Sequence, residues 1–184
     1  VPYYSILDSG IGYIKMTSFT RNVSKEVAEA YKNLSEKNDL KGLVFDLRGN
    51  PGGLLNEAVN TTNLFVDKDL EVVSTKGKVK DWDKVYKTLN QPLDQDIPLV
   101  VLINSRSASA SEIVSGAIQD LDRGVVIGQR SFGKGLVQQT RKLSYNSQLK
   151  VTIAKYYIPS GRCIQALDYS DRNDDGSVGS IPDS

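Results

Sequence analysis

The chain contains no histidine and only one cysteine, Cys163. A serine that attacks a carbonyl group needs a neighbouring base, and histidine is the usual base because it titrates near neutral pH. Any serine nucleophile in this chain must therefore use a different base. One cysteine also excludes an internal disulfide, and without histidine it excludes a zinc site of the Cys/His type. We expect Cys163 to be an inert, buried thiol.

The chain also lacks a strong charge bias and long apolar runs. Lysine and arginine total 23 against 22 acidic residues, so nothing predicts nucleic acid or an anionic membrane as a partner. No apolar run approaches the roughly 18 residues of a membrane-spanning helix. At 184 residues and 39% hydrophobic, the chain can bury one core. There is no initiator methionine and no signal-peptide pattern, so we expect a soluble piece of a longer protein.

Units of a buried strand, a polar turn and a helix recur along the chain. After a strand at 10–17 and a helix at 24–37, residues 42–47 and 99–103 are short apolar runs typical of buried strands. Helices are predicted after them, over 54–65 and 108–121, and residues 124–128 predict a third buried strand. Such βα units predict an α/β fold with a mainly parallel sheet.

The remaining elements predict an antiparallel extension of that sheet. Residues 71–88 alternate around Gly77, which indicates a hairpin-like insertion, and 136–143 and 149–158 predict two antiparallel strands. From Asp168 onward the composition turns to Asp, Asn, Gly and Ser. We therefore expect a core over 1–167 and a polar loop or tail over 168–184.

Four serines follow the strand at 99–103, namely Ser105, Ser107, Ser109 and Ser111. Helix N-termini favour negative charge, so the Ala110 N–H can stabilise an oxyanion there. The turn at Gly52 and Gly53 offers a second donor if the two strands are neighbours, although chain reversal alone also explains such a turn. Spacing alone does not choose among the four serines.

The candidate base is Lys134, which lies between Gly133 and Gly135. A lysine base must be uncharged, which an apolar pocket favours and a nearby carboxylate opposes. The sequence neighbours of Lys134 include no acid, so we expect such a pocket. Positions 134 and 138 share a face of an extended segment, so the Gln138 amide oxygen can accept from the amine. A solvated surface lysine is the competing interpretation.

Two other stretches partly match motifs for binding phosphate or calcium. Residues 128–134 match the first seven positions of a phosphate-binding P-loop, but Gly135 replaces its Ser/Thr and a strand-like segment follows. Residues 171–176 match the opening of a calcium loop, but Pro182 occupies the position of its bidentate acid. We therefore expect no nucleotide, metal or other cofactor, and a solvated acidic turn at 171–176.

Three linked stretches resemble the carboxyl-terminal processing peptidases, also called tail-specific proteases. The stretches are 46–53, 107–120 and 131–138, they occur in that family's order and spacing, and the similarity covers about 10–165. The resemblance implies that Ser109 is the nucleophile, Lys134 the base and Gln138 the residue that orients it. It also implies an oxyanion hole from Ala110 and either Gly52 or Gly53.

The same resemblance implies a ClpP/crotonase-like protease core with a Ser-Lys dyad. Such an enzyme cuts polypeptides at or near their C-termini, and its substrates have flexible, apolar tails. Its expected location is the bacterial periplasm or cell envelope. A PDZ domain that captures the substrate usually precedes this core and is expected outside this chain.

The alternative is a module that binds peptides or apolar ligands on the same architecture without cutting them. The presence together of Ser109, Lys134 and Gln138 favours the enzyme, because a pure binder has no need of all three. The oligomeric state and the substrate stay open at this level.

Overall fold

The computed structural model describes residues 3–37 and 39–181. Its helices are α1 (Val23–Lys37), α2 (Leu55–Thr62) and α3 (Ala110–Asp120). Its strands are β1 (Tyr3–Leu7), β2 (Ile11–Lys15), β3 (Gly42–Asp46), β4 (Glu71–Gly77), β5 (Lys84–Lys87), β6 (Leu99–Ile103), β7 (Val125–Gly128), β8 (Leu136–Lys142), β9 (Gln148–Tyr157), β10 (Leu167–Arg172) and β11 (Val178–Ser180). No helix in these ranges is long and apolar enough to cross a bilayer.

The central sheet has the strand order β1-β2-β3-β6-β7. The pairs β2–β3, β3–β6 and β6–β7 are parallel, and only β1, which the sequence did not predict, runs antiparallel to its neighbour. Parallel neighbours require crossover connections, and α1, α2 and α3 lie on those from β2 to β3, from β3 to β6 and from β6 to β7. The predicted α/β class with a mainly parallel sheet is confirmed.

Helix α1 shows how the local pattern builds the core. Val27, Tyr31 and Leu34 recur at helical spacing, and all three are buried against the central sheet and its neighbouring helices. Burying an apolar side chain of this size contributes about 1.5–3 kcal/mol relative to leaving it exposed. The predicted apolar face of this helix is therefore the face that docks it.

Strand β7 differs from the prediction of a third buried strand. It lies at the edge of the central sheet, where Val125 and Ile127 are 59% and 51% exposed. A short apolar run has the same pattern in a central strand and in an edge strand, because its neighbours come from elsewhere in the chain. The side chains of Val125 and Ile127 on β7 are thus exposed to solvent.

A second, antiparallel sheet has the order β5-β4-β9-β8. It contains the predicted hairpin-like insertion as β4 and β5 and the predicted strand pair as β8 and β9. Residues 129–135 lead from the end of β7 into β8 and thereby connect the two sheets. The Gly-Lys-Gly motif lies on this connection.

The predicted polar tail contains a short hairpin instead of a loop. Strands β10 and β11 pair in antiparallel fashion around a turn in which Gly176 has a φ of +80°. The Asp175 carboxylate accepts the Ser177 N–H and hydroxyl at 2.9 and 2.6 Å, so the acidic turn is bonded within itself. Hairpins need little apolar sequence when main-chain pairing and a suitable turn close them. Pro182, which the calcium-loop comparison used, lies outside the described residues.

Candidate active site

The turns that follow β3 and β6 lie side by side. The two strands are parallel neighbours, and the Leu47 N–H donates to Leu102 O at 2.9 Å just beyond them. The Ala108 N–H then donates to Asn50 O at 3.0 Å. Ligand sites of open α/β sheets form at the carboxyl ends of the strands. The glycine turn and the serine run therefore meet, as the prediction of two oxyanion donors required.

The structure distinguishes the four candidate serines by what their hydroxyls do. Ser107 is fully buried and donates to Leu47 O at 2.8 Å, and Ser111 is fully buried and donates to Asn50 O at 3.0 Å. Both hydroxyls thus connect the two turns through hydrogen bonds to main-chain oxygens. Ser105 is exposed in the turn after β6, and Ser109 is half-buried at the start of α3.

Ser109 has an unusual backbone conformation for a residue with a side chain. Its φ is +57° and its ψ is −113°, outside the regions that L residues normally populate. Such a conformation costs on the order of 1–3 kcal/mol and persists only when the surroundings enforce it. Strained residues of this kind cluster at active sites, so the backbone favours Ser109 as the functional serine of the four.

Gly52 packs directly against Ser109. Gly52 has a φ of +96°, and a Cβ built on it would lie 2.8 Å from Ser109 Cβ and 2.9 Å from the Ala110 nitrogen. Real Cβ atoms do not approach other atoms this closely. No other residue type fits at position 52 unless the turn moves away from the start of α3.

Two main-chain N–H groups at this junction have no acceptor among the described residues, those of Ala110 and Gly53. Ala110 is the first residue of α3, where N–H groups lack intrahelical partners. The Gly52 N–H is already engaged, because it donates to the Asn50 side-chain oxygen at 2.9 Å. Of the two glycines proposed as donors, Gly53 is the one whose N–H is available.

The glycine turn is held in place from β3. The Asp46 carboxylate, which is fully buried, accepts hydrogen bonds from the Arg48 main chain and guanidinium at 2.7–2.9 Å and from the Tyr13 hydroxyl at 2.6 Å. Burial alone would raise the pKa of Asp46, but the bonds from Arg48 and Tyr13 outweigh it and hold the pKa below the ordinary value of 3.8. Asp46 is thus a charged anchor at the base of the turn.

A single carboxylate joins the serine to the lysine segment. Glu112, buried in the first turn of α3, accepts the Ser109 N–H on Oε2 at 2.6 Å and the Lys134 N–H on the same oxygen at 2.9 Å. Its Oε1 accepts the Gly133 N–H at 2.5 Å. The spacing Ser-x-x-Glu at a helix start is the signature of a capping box, and that signal was available in the sequence. What it could not show is that the same carboxylate reaches residues 133 and 134.

Both glycines around Lys134 are required by close packing on the opposite side. A Cβ at Gly133, whose φ is +83°, would lie 2.2 Å from Ala166 Cβ, and one at Gly135 would lie 2.2 Å from the Gln165 nitrogen. The Gly135 N–H donates to the Gln165 side chain at 2.9 Å, and the Ala166 N–H donates to Gly133 O at 3.1 Å. The Gly-Lys-Gly segment is therefore fixed between α3 and residues 165–166.

The side chains of Lys134 and Gln138 lie outside the expected apolar pocket. Both residues are exposed, and within the described part of the chain no hydrogen bond joins the Lys134 amine to Ser109 or Gln138. The Lys134 main-chain N–H does contact a carboxylate, that of Glu112, which lies outside the sequence neighbourhood of Lys134. Gln138 follows Val137 at a β-bulge in the pairing of β8 with β9. The main chain at 134 is thus in place beside Ser109, while the lysine side chain is solvated.

The P-loop-like stretch does not have the structure of a P-loop. Residues 129–135 form neither a helix nor a strand and lead into β8, so this stretch has no helix N-terminus to face a phosphate. Across residues 3–37 and 39–181, no group of three or more His, Cys, Asp or Glu side chains is placed to hold a metal ion.

A model of peptidase family S41 matches residues 10–170, which is most of the chain. The chain belongs to peptidase family S41. It is 43% identical over 164 residues to a carboxy-terminal-processing protease of Bartonella bacilliformis, covering 88% of this chain and 38% of that protein. It is 36% identical over 162 residues to the carboxy-terminal processing protease CtpA of Bacillus subtilis, covering 88% of this chain and 34% of the relative. The chain therefore spans little more than a third of these S41 relatives.

Solved structures agree with this S41 membership. The photosystem II D1 C-terminal processing protease superposes with a TM-score of 0.77 at 34% identity, covering 88% of this chain and 42% of that chain. Mature CPAF superposes with a TM-score of 0.67 at 14% identity, covering 89% of this chain and 47% of that chain. At this low identity the similarity to CPAF concerns the fold and not the function. The S41 fold thus extends over nearly all of the described residues.

Proposed function

We propose that this chain is the proteolytic core of a serine endopeptidase that cleaves polypeptides at or near their C-termini. Ser109 Oγ attacks the scissile carbonyl carbon while the Lys134 amine takes its proton. The amine returns the proton to the leaving amino group and then activates the water that hydrolyses the acyl-enzyme. Gln138 orients the lysine, and the N–H groups of Ala110 and Gly53 bind the oxyanion.

The observation that carries this proposal is the shared carboxylate oxygen of Glu112. Because one oxygen accepts both the Ser109 N–H and the Lys134 N–H, the two main-chain segments are neighbours although they are far apart in sequence. Beside them lie two N–H groups without acceptors and a serine in a strained conformation. Together these features support the proposed roles of Ser109 as nucleophile, Lys134 as base and the two N–H groups as oxyanion donors.

The solvated Lys134 side chain requires one movement before reaction. Lysine has a long, flexible side chain, so a rotamer change with the main chain fixed can bring the amine toward Ser109 when a substrate excludes water. The same exposure is what a binding module without catalysis would show. The alternative is a module that binds peptides or apolar ligands without cutting them, and the cleavage experiment below must exclude it.

The larger protein is proposed by analogy with the relatives. Polypeptides with flexible, apolar C-terminal tails are the proposed substrates, and a PDZ domain preceding this core is the proposed partner in substrate capture. The relatives come from bacteria and, for the processing peptidase of Tetradesmus obliquus, from a chloroplast. We propose the periplasm or cell envelope of a bacterium as the location.

The test compares Ser109→Ala and Lys134→Ala with the unchanged chain in cleavage of a fluorogenic peptide. Each variant should lose roughly 10³-fold or more in kcat while keeping its melting temperature, because removing either member of a catalytic unit costs about as much rate as removing the whole unit. Ser105→Ala, an exposed serine in the adjacent turn, is the matched control and should keep full activity. An unchanged rate in either dyad variant, or no covalent labelling of Ser109 by an acylating probe in an active preparation, excludes the dyad.

A further inference from the structure

The outer part of the β8–β9 hairpin is exposed on both faces. Every residue from 138 to 152 is exposed, so neither face of this two-stranded ribbon is buried against the rest of the described chain. We call residues 138–152 the arm. A two-stranded ribbon without a packed face is only marginally stable in water. A surface that covers one face of the arm would therefore stabilise it.

One face of the arm is apolar. Leu149 and Val151 lie two residues apart on β9, so their side chains are on the same face. Leu149 is paired with Arg141, and Leu143 lies two residues beyond Arg141 in the chain, so Leu143 is on this face too. The exposed fractions of these three apolar side chains are 36–52%. This face therefore presents apolar surface to solvent, with one arginine among it.

The tip of the arm carries a fully exposed tyrosine, Tyr145. Tyr145 and Asn146 both have a φ of +57°, and two successive positive φ values are typical of the type I′ turns of hairpins. Asparagine and glycine suit such positions, whereas a bulky side chain rarely adopts a positive φ. Tyrosine is enriched where an apolar environment meets water, because its ring is apolar and its hydroxyl polar. We therefore attribute Tyr145 to what the tip contacts and not to the turn.

The opposite face of the arm is basic. Lys150 is paired with Thr140, which lies two residues before Lys142 on β8, so both lysines are on this face. Lys155 pairs with β8 on the same face nearer the body of the protein, and it is the direct cross-strand partner of Lys76. Neither Lys76 nor Lys155 forms an ion pair within the described residues. Like charges opposed on a sheet are destabilising, so this row of four lysines favours an anionic partner.

The charges of the chain nearly cancel in total but not along its length. Residues 124–167 contain seven lysine and arginine residues and no acidic residue, although the whole chain has 23 basic against 22 acidic residues. The seven are Arg130, Lys134, Arg141, Lys142, Lys150, Lys155 and Arg162. Clusters of four or more basic residues are typical of surfaces that bind anionic lipid headgroups. The balanced total charge therefore does not describe the surface of this hairpin.

We propose that the arm binds an anionic lipid bilayer. Leu143, Leu149 and Tyr145 enter the boundary between the headgroups and the acyl chains. Lys142 and Lys150 reach the lipid phosphates, because long lysine side chains can lie along apolar surface and keep the amine among polar groups. A ribbon with one apolar and one basic face is the β-strand equivalent of an amphipathic helix that lies in a membrane interface.

The composition of the arm favours a bilayer over a protein partner. Lysine is depleted at protein–protein interfaces, where aromatic residues, methionine and arginine are enriched. Here four lysines share one face, and lipid phosphates supply the opposite charge over a whole surface. The inference goes beyond the proposed peptidase function and does not depend on it.

Co-sedimentation with lipid vesicles measures this binding. The chain is mixed with phosphatidylcholine vesicles, and separately with vesicles that also contain phosphatidylglycerol. The anionic vesicles should bind it roughly 25-fold more tightly, since each of two basic residues near an anionic surface contributes about fivefold. The difference should shrink as salt is raised, because salt screens the attraction.

The variant Lys142→Gln/Lys150→Gln tests the basic face. It should lose the roughly 25-fold preference for anionic vesicles while keeping its melting temperature, because both side chains are exposed. Lys32→Gln/Lys68→Gln makes the same change in net charge at exposed positions outside the arm and should keep the preference. Equal loss in the two variants would assign the effect to net charge and overturn the proposed site.

The variant Leu143→Ser/Leu149→Ser tests the apolar face. It should bind both kinds of vesicle roughly tenfold or more weakly, because two apolar side chains no longer enter the interface. Leu70→Ser/Leu89→Ser removes two exposed leucines elsewhere and should bind as the unchanged chain does. Unaltered binding of Leu143→Ser/Leu149→Ser would contradict insertion of the arm.

Three further outcomes would overturn the membrane proposal. They are no sedimentation with either kind of vesicle, equal binding to both, and a dimer without vesicles that Leu143→Ser/Leu149→Ser dissociates. The last outcome would assign the apolar face to a second copy of the chain. Ser109→Ala should bind vesicles as the unchanged chain does, so loss of peptidase activity and loss of membrane binding are measured separately.

Discussion

Replacing Glu112 by Gln tests whether one buried carboxylate assembles the site. Glu112 has two oxygens that accept three N–H groups, from Ser109, Gly133 and Lys134. A glutamine has one acceptor oxygen, and its NH₂ group would face at least one of these donors. The side chain keeps its size, so packing in the first turn of α3 is retained while the hydrogen bonds are not.

The size of the effect follows from those bonds. A hydrogen bond to a charged group contributes about 1.5–3 kcal/mol, and a neutral one about 0.5–1.5 kcal/mol. If the amide oxygen replaces Oε2, the Gly133 bond is lost and the other two weaken from charged to neutral, for a total of about 3.5–6 kcal/mol. Movement of residues 131–134 away from α3 relieves part of this cost. That movement separates Lys134 from Ser109, so we expect kcat to fall by roughly 10²-fold or more.

The assay combines kcat and KM for a fluorogenic peptide with thermal unfolding. Glu112→Gln should lose kcat with little change in KM, and its melting temperature should fall by several degrees, since about 1 kcal/mol corresponds to roughly 2–4 °C at this chain length. Glu29→Gln, on the exposed face of α1, makes the same chemical change without these contacts and should behave as the unchanged chain. A Glu112→Gln chain with normal kcat would refute the reasoning.

Three further predictions concern the turns around the serine. Gly52→Ala should abolish activity because the new Cβ would lie only 2.7–2.9 Å from atoms of residues 108–110. Gly49→Ala is the control, because Gly49 also has a positive φ of +76° but no atom within 4 Å, so this change should reduce stability alone. Equal kinetics of the two variants would contradict the assigned role of Gly52. The pKa of Asp46 is lowered in the folded state, so the charged carboxylate stabilises the fold above the ordinary value of 3.8, and this contribution is lost as pH falls below it. In acid titrations, the free energy of unfolding of Asp46→Asn should therefore fall less steeply in that pH range than that of the unchanged chain. Ser111→Ala should lose about 1 kcal/mol in denaturant unfolding through its buried hydroxyl, and Ser105→Ala should lose none; the reverse order would count against the assigned roles.

Much of the architecture was predictable because it depends on local pattern. The spacing of Val27, Tyr31 and Leu34 predicts the docked face of α1, and the apolar runs at β3 and β6 predict two buried strands. The absence of histidine limits the choice of base before any coordinate is considered. The three motifs also indicated the family, because their order and spacing along the chain are properties of sequence alone.

Other features depend on which distant segments meet, and no local pattern encodes that. The Glu112 carboxylate reaches residues 133 and 134 only because the connection from β7 to β8 passes over the start of α3. Lys76 and Lys155 become a charged pair only through the register of β4 with β9. The solvation of Lys134 and the open edge at β7 likewise follow from what packs beside them. Sequence periodicity specifies which face of an element is apolar, whereas the identity of its neighbour is a property of the assembled fold.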